Sequence, residues 1–290
     1  MSGVHTTDAE FRAWGKNVSD HLQAMSGLVK TADTGQINWT TVTIPGANTD
    51  AGYEIYYLND SLFATAPIYM RIAYGTATTA PRARMRLTVG TGTDGAGAIT
   101  GTALATVQSA STPVTLAAAP TFPSWLSVSE GFFALSVLWI DTSGIAVHGF
   151  IVCRSCDTNG TPDATAAMVY THGGGNTSSI VRFQSLRFAT TAATYISTNT
   201  GYSVLVPHFE TSTSQITGVP QAYHAWHITP YMSPLHAVAG VLNSETLPGA
   251  TCRATLVGST ERTYMNWGNF MGAISSYQTA ASVGTLVLWE

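Results

Sequence analysis

Asp33-Thr34-Gly35-Gln36-Ile37-Asn38-Trp39 is the stretch on which the reading of this chain turns. Before it lies the one segment with helical periodicity. After it the sequence is rich in Thr, Ser, Ala and Gly, poor in charge and punctuated by turns as far as Glu290. A single helix joined to a long neutral β body suits a building block of an assembly better than an enzyme.

Upstream, Phe11, Trp14, Val18, Leu22, Met25 and Val29 recur at spacings of three and four, which makes one apolar stripe and predicts a helix over residues 8–29. Asp8 stands where an N-cap or first-turn acid meets the positive end of the helix dipole. Gly27 ends the regular pattern. Phe11, Val18 and Met25 are seven apart, as in a coiled-coil seam, with Leu22 and Val29 as a second row. About three heptads is short for a free-standing coiled coil. The stripe therefore allows two arrangements: the helix lies on its own β domain, or it packs on symmetry mates. The second makes Phe11, Trp14, Val18, Leu22 and Met25 an assembly interface. The chain then divides into residues 1–33, a docking or oligomerisation helix, and residues 34–290, a β-rich body. An internal seam is expected near residues 109–123, which are rich in Ala, Ser and Pro.

Downstream the signals are strands and turns. Asn38 to Ile44 alternates, with Val42 and Ile44 on one face, and Pro45-Gly46 and Asn48-Thr49-Asp50-Ala51-Gly52 punctuate it. Strands are expected at Tyr53–Leu58, Ile68–Tyr74, Arg84–Val89, Phe132–Asp141 and Gly149–Ser155, the last two joined by a hairpin-like link through Asp141-Thr142-Ser143-Gly144. Further strands are expected at Ile180–Phe188, Tyr202–Phe209, Tyr223–Ile228, Arg253–Val257 and Thr285–Trp289. The predicted fold is mainly β: an N-terminal amphipathic helix followed by an antiparallel β-sandwich or jelly-roll-like body.

Of 290 residues, 10% are charged and 45% hydrophobic, where an ordinary globular chain has about 25% charged. The only lysines are Lys16 and Lys30. Interface cores are depleted in Lys, Glu and Asp, so a surface this poor in charge points to burial against neighbours. A homo-oligomer is expected, with three subunits or a multiple of three. The net charge of −4 gives no basic field for nucleic acid. Arg82, Arg84 and Arg86 alternate and should share one strand face, as a solvated face or a row of ion pairs. No window reaches the roughly 18 apolar residues of a membrane span, and the polar N-terminus has no apolar signal core, so the product is expected to start life in a cytoplasm.

Candidate chemistry is thin. Cys153-Arg154-Ser155-Cys156 is a C-x-x-C at the end of an apolar strand, without the following helix of a thioredoxin-like site or the further ligands of a zinc knuckle. Buried thiols without chemistry are expected there. His208 and Glu210 would share a strand face, whereas His224 and His227, three apart, would not, so interface or hydrogen-bonding histidines are favoured over metal ligands. Asp94 is one carboxylate where Ca²⁺ or Mg²⁺ wants several oxygen ligands. No cofactor is expected. The acids Glu130, Asp141, Asp157, Asp163, Glu210, Glu245 and Glu261 are scattered singly, which offers no evident glycosidase pair. No G-x-S-x-G elbow occurs, and Gly173-Gly174-Gly175-Asn176 lacks the lysine and helix of a phosphate cradle. Aromatic residues, among them Trp125, Trp139, Trp226, Trp267, Trp289, Tyr53, Tyr56 and Tyr57, suit core and interface packing first and sugar stacking second.

Phe11-Arg12-Ala13-Trp14 and Gly27-Leu28-Val29-Lys30-Thr31-Ala32-Asp33-Thr34-Gly35-Gln36-Ile37-Asn38 together resemble the opening of virion structural proteins of tailed bacteriophages. The resemblance continues through Thr43-Ile44-Pro45, Gly52-Tyr53-Glu54-Ile55, Asp60-Ser61-Leu62, Ala64-Thr65-Ala66-Pro67 and Gly90-Thr91-Gly92-Thr93-Asp94-Gly95-Ala96-Gly97. It spans roughly the first half of the chain. It implies a structural role in the tail tip, baseplate or fibre, other virion proteins as partners, and a virion location after assembly in the host bacterial cytoplasm. It brings no catalytic motif. Two alternatives stand beside it: a capsid decoration protein, and an adhesin or depolymerase that reads a host surface glycan. On the docking reading, a chain lacking residues 1–30 should keep a folded β body and fail to join particles.

Overall fold

The computed structural model describes residues 7–76, 83–101, 107–109, 124–141, 144–157, 161–172, 182–187, 194–196, 204–205, 221–227, 233–242, 251–255, 261–266 and 283–289. One helix, α1 (Asp8–Ala24), precedes the strands. Those of the first half are β1 (Leu28–Lys30), β2 (Asp50–Leu58), β3 (Tyr69–Thr76), β4 (Ala83–Gly90), β5 (Gly92–Thr93), β6 (Ile99–Thr100) and β7 (Val107–Ser109). The second half carries β8 (Ser124–Ser129), β9 (Phe132–Asp141), β10 (Gly144–Cys156), β11 (Pro162–His172), β12 (Arg182–Arg187) and β13 (Thr194–Ile196). It continues with β14 (Val204–Leu205), β15 (Gln221–His227), β16 (Ser233–Leu242), β17 (Thr251–Thr255), β18 (Glu261–Asn266) and β19 (Val283–Leu288). The fold is thus mainly β, with one N-terminal helix followed by several antiparallel sheets.

The first sheet runs β1-β2-β3-β4-β7. A larger sheet follows the path β13-β12-β11-β10-β16-β19-β18-β17, with β9 and β8 joined at β10, and β15 and β14 at β16. Strands β9 and β10 pair from Asp141↔Gly144 to Phe132↔Cys153, the hairpin expected there. Strands β1, β5, β6, β7, β8, β11, β13, β16 and β18 carry no counterpart in the sequence expectations. The expected seam at residues 109–123 lies outside the described residues apart from Ser109.

The helix is shorter than its apolar periodicity suggests. It ends at Ala24, Met25 is an extended C-cap, and Val29 belongs to β1, paired with Tyr57. Ser26-Gly27 breaks the helix, and β1 then gains ladder hydrogen bonds with β2 that a further helical turn could not make. The N-cap is Thr7, one residue before Asp8. Thr7 and Glu10 form a reciprocal capping box, with bonds of 3.2 and 3.1 Å. Asp8 lies in the first turn and accepts the Ile44 amide at 2.7 Å.

Asn38–Ile44, expected as a strand, is irregular: Thr41 and Val42 both donate back to the Asn38 carbonyl. Its apolar residues Trp39, Val42 and Ile44 pack against the core, and Arg12 Nε donates to the Val42 carbonyl at 2.6 Å. This line belongs beside the helix, so its alternation serves helix packing and not a ladder. Gly15 is where it fits: a Cβ there would collide with the Trp39 indole.

The core lies on the inner face of the first sheet. Tyr56 and Leu58, Met70, Ile72 and Tyr74, and Met85, Leu87 and Val89 are all buried and share that face by register. Two groups join them in one apolar cluster. From α1 come Phe11, Trp14, Val18 and Leu22; from β9, β10 and β11 come Phe133, Leu135, Phe150, Val152, Ala167 and Val169. Alternate residues supply each strand's share, as the pleat requires. Strand β1, within the first 33 residues, pairs with β2, so the helical segment and the β body share a sheet.

Candidate functional site

Four side chains of the expected interface, Phe11, Trp14, Val18 and Leu22, are 0–8% exposed within the single chain, and Met25 is partly buried against the same core. The structure thus shows the first of the two arrangements the stripe allows. The stripe covers the chain's own sheet, where Trp14 and Trp39 meet Tyr74 edge-on at 5.9 and 4.9 Å between ring centroids. Contact with another subunit through this stripe requires the helix to leave that sheet.

Under the helix sits a buried carboxylate. Glu54, on β2, is fully enclosed, yet four groups reach it. Ser19 Oγ donates at 2.7 Å and Lys30 Nζ at 2.6 Å to one oxygen. Tyr74 and Tyr56 donate their phenols at 2.8 and 3.1 Å to the other. Burial, reinforced by the Glu54 charge, raises both phenols above the ordinary tyrosine value, so both remain donors. Lys30, one of two lysines in the chain, supplies the counter-charge from β1. A carboxylate so saturated and enclosed has no approach for a substrate; it ties helix, β1, β2 and β3 together. The sequence signal for it was a lone acid in the aromatic run Tyr53–Leu58.

Tyr53 makes a second junction. Its hydroxyl donates to the carbonyls of Thr34 at 2.9 Å and Ala96 at 3.2 Å, while the Thr34 amide donates to Gly95 at 2.9 Å. Gly97, at φ +107°, lies so close to the Tyr53 ring that a Cβ would overlap it. Asp94 caps this loop by accepting the Ala96 and Ala98 amides at 2.8 and 2.9 Å, which holds its carboxyl below the usual range. The carboxylate is engaged in its own turn.

The outer face of the first sheet carries half-buried aromatic residues. Tyr57 and Tyr69 are cross-strand partners, and Phe63, from the loop after β2, stacks on Tyr57 at 4.4 Å and meets Tyr69 at 5.8 Å. On the same face the Arg71 guanidinium lies over the Tyr53 ring at 4.2 Å. Burial lowers the pKa of Arg71 from the ordinary arginine value. Farther along, Arg84 and Arg86 share this face, as their alternation predicts, and both pair with Asp50, Arg84 at 2.8 Å. Arg82 is outside the described residues.

A third polar junction links the two sheets. Arg154 on β10 donates to Asp60 at 2.6 and 3.0 Å and to the Ala66 carbonyl at 2.8 Å, and both charged side chains are fully buried. Beside it, Glu130 accepts the Ser61 amide at 2.9 Å. The loop after β2 is thereby clamped onto β10 and onto the β8–β9 turn.

Cys153 and Cys156 flank Arg154 as buried thiols, across a register shift in β10. Burial, with Asp163 and Asp157 nearby, pushes the Cys156 thiol up to about 12. A thiol held protonated is a poor nucleophile and a poor metal ligand. Among the scattered acids, Asp163 accepts from Ser155 at 2.6 Å, Asp157 caps Thr161 at 2.9 Å and Glu261 meets Arg253 at 3.2 Å. His208, Glu210 and Glu245 lie outside the described residues, as does Gly173–Asn176. The backbones of His224 and His227 belong to β15 on either side of a register shift. Among the described residues no three His, Cys, Asp or Glu side chains are grouped as a metal would need. No described helix is long and apolar enough to cross a membrane. Comparison of the chain with protein-family models, with curated proteins and with solved structures gives no match.

Proposed function

We propose that this chain is a non-enzymatic structural subunit of a tailed-bacteriophage virion, in the tail tip, baseplate or fibre, and acts by symmetric self-assembly. One observation carries the reading. The segments that resemble phage virion proteins, Asp33–Asn38 and Gly90–Gly97, lie far apart in sequence yet meet through Tyr53 and Thr34 in one hydrogen-bonded junction. The residues of the resemblance thus join in one shared structural unit, which supports a structural role. Charge-poor composition supports the same reading, because a chain with only 10% charged residues suits burial of its surface against neighbours.

With its apolar stripe inside the fold, the helix acts as an internal brace, and subunit contacts fall on the β body. We infer a homo-oligomer of three subunits or a multiple of three, whose second half closes as a sandwich or jelly-roll-like unit. Mass spectrometry of purified particles, followed by cryo-electron microscopy of the position it fills, tests the proposal. The expected result is a stoichiometric component on a three- or sixfold axis of the tail. A chain abundant in infected cells but absent from purified particles, and monomeric in solution, counts against it.

A further inference from the structure

We propose that the outer face of the first sheet is a binding site for a carboxylated saccharide, with Arg71 as the carboxylate ligand and Tyr57, Phe63 and Tyr69 as the stacking shelf. Arg71 is the starting point. Its guanidinium is half-buried and lies over the Tyr53 ring, 4.2 Å from the centroid, so its fork of donors is restrained before any ligand arrives. Among the described residues it has no hydrogen-bond acceptor and no carboxylate partner; the one acid on this face, Asp50, is taken by Arg84 and Arg86. Three arginines against one aspartate leave this face cationic in a chain whose net charge is −4. Arg71 has lost part of its hydration without gaining a counter-ion among the described residues. An anion placed there restores the missing interaction through two charge-assisted bonds.

The neighbours say which anion. Tyr69 precedes Arg71 by two residues on the same strand and face, a separation of about 7 Å. That is the span from the middle of one pyranose ring to a carboxylate on the next. Tyr57 lies directly across from Tyr69, and Phe63 packs against both. Neither phenol has a hydrogen-bond partner among the described residues, so each presents a hydroxyl at the rim of an apolar shelf. Ring faces for sugar C–H groups, hydroxyls for sugar hydroxyls and one bidentate cation for a carboxylate are the chemistry of an acidic glycan. Nucleic acid fits less well, because it wants a run of phosphate contacts and a basic field, whereas Arg84 and Arg86 are already paired with Asp50 and the net charge is −4.

The test uses the full chain with three probes: oligogalacturonate, alginate oligomers and oligosialate, each beside its carboxyl-esterified form, and an oligo-dT strand as the competing ligand. Calorimetry or saturation-transfer NMR at low salt should show at least one acidic sugar binding, with its ester weakened tenfold or more. Arg71→Gln should lose at least tenfold for the acid and leave the ester unchanged. Tyr69→Ala should weaken both. Arg71→Lys, which keeps charge but not the fork, should fall between wild type and Arg71→Gln. Matching circular dichroism and melting curves confirm that the variants are folded. No binding of any acidic sugar, equal binding by Arg71→Gln, or tighter binding of oligo-dT overturns the assignment. A chain found in particles that binds none of these sugars keeps the assembly reading and loses this one.

Discussion

Ser19 Oγ, on the buried face of the helix, donates at 2.7 Å to the carboxylate of Glu54 on the second strand. The same oxygen takes Lys30 at 2.6 Å, and the other takes two phenols. A polar contact in the middle of an apolar helix–sheet interface fixes the helix in one register, which apolar packing alone does loosely. The carboxylate is desolvated, but each of its oxygens accepts two bonds, so the burial is compensated.

Removing that carboxylate should be costly. Glu54→Ala leaves Ser19, Lys30, Tyr56 and Tyr74 without their acceptor and is expected to destabilise the fold by about 3–5 kcal/mol. Glu54→Gln keeps shape and two acceptor lone pairs and should cost less. Urea unfolding of the two variants gives the comparison. A Glu54→Ala loss below about 1 kcal/mol, the size of a surface pair, contradicts the geometry.

The helix should prove indispensable to folding. Phe11 and Leu22 are fully buried against the chain's own sheet. Phe11→Ala is expected to cost about 3–5 kcal/mol through lost transfer energy and a cavity. Deleting residues 1–24 removes four core side chains and the Ser19 donor together, and it bares the inner face of the first sheet. The truncated chain should lose cooperative unfolding and near-ultraviolet circular dichroism. This reverses the expectation drawn from sequence, that strand pairing alone would keep the body folded. Backbone pairing satisfies hydrogen bonds, but it does not cover Tyr56, Met70 and Tyr74.

How much was legible in the sequence follows from this. The stripe Phe11–Leu22 announced a helix, and the alternation of Ile68, Met70, Ile72 and Tyr74 announced a strand, because both depend on local period. What the stripe faced was not legible: the same spacing serves a sister subunit and an intramolecular sheet. Asn38–Ile44 alternates like a strand, yet Trp39, Val42 and Ile44 line a helix, a choice made by tertiary packing against Gly15 and Arg12. The role of Glu54 was not legible because three of its four partners come from other elements, α1, β1 and β3. The shelf was half visible, since Tyr53 and Tyr57 stood out as aromatic residues, but Phe63, Tyr69 and Arg71 join them only through β2–β3 register and the following loop.

The Arg154–Asp60 pair should hold the two sheets together. Both side chains are fully buried, and they join β10 to the loop after β2. Arg154→Ala, which strands Asp60, is expected to cost about 3–5 kcal/mol. The double variant Arg154→Met with Asp60→Leu removes both charges and should recover much of that loss, though it leaves the Ala66 carbonyl without its donor and the Leu62 amide without its acceptor. Chemical unfolding of the two single variants and the double variant gives a coupling energy. Additive losses, with no recovery in the double variant, would show that the charges do not act as a pair.

The protein should be labile at alkaline pH and indifferent to thiol reagents near neutrality. Burial raises the Cys156 thiol from 9.0 to about 12 and raises the Tyr74 phenol well above its ordinary value of 10.0. Both groups bind their proton more tightly folded than unfolded. Their contribution is fully present below the unfolded pKa, near 9 for the thiol, and is lost as pH rises through the folded value. Unfolding midpoints should therefore stay level from neutrality to about pH 9 with respect to these groups, and then fall. Cys156→Ala and Tyr74→Phe should each flatten that fall, at the expense of neutral-pH stability, since Tyr74→Phe takes one donor from Glu54 and Cys156→Ala leaves a small void. Iodoacetamide at pH 8 should label Cys156 only when urea opens the fold. Rapid labelling of Cys156 in the native protein, or an alkaline decline that neither substitution alters, would mean that the thiol is accessible or that other groups govern the transition.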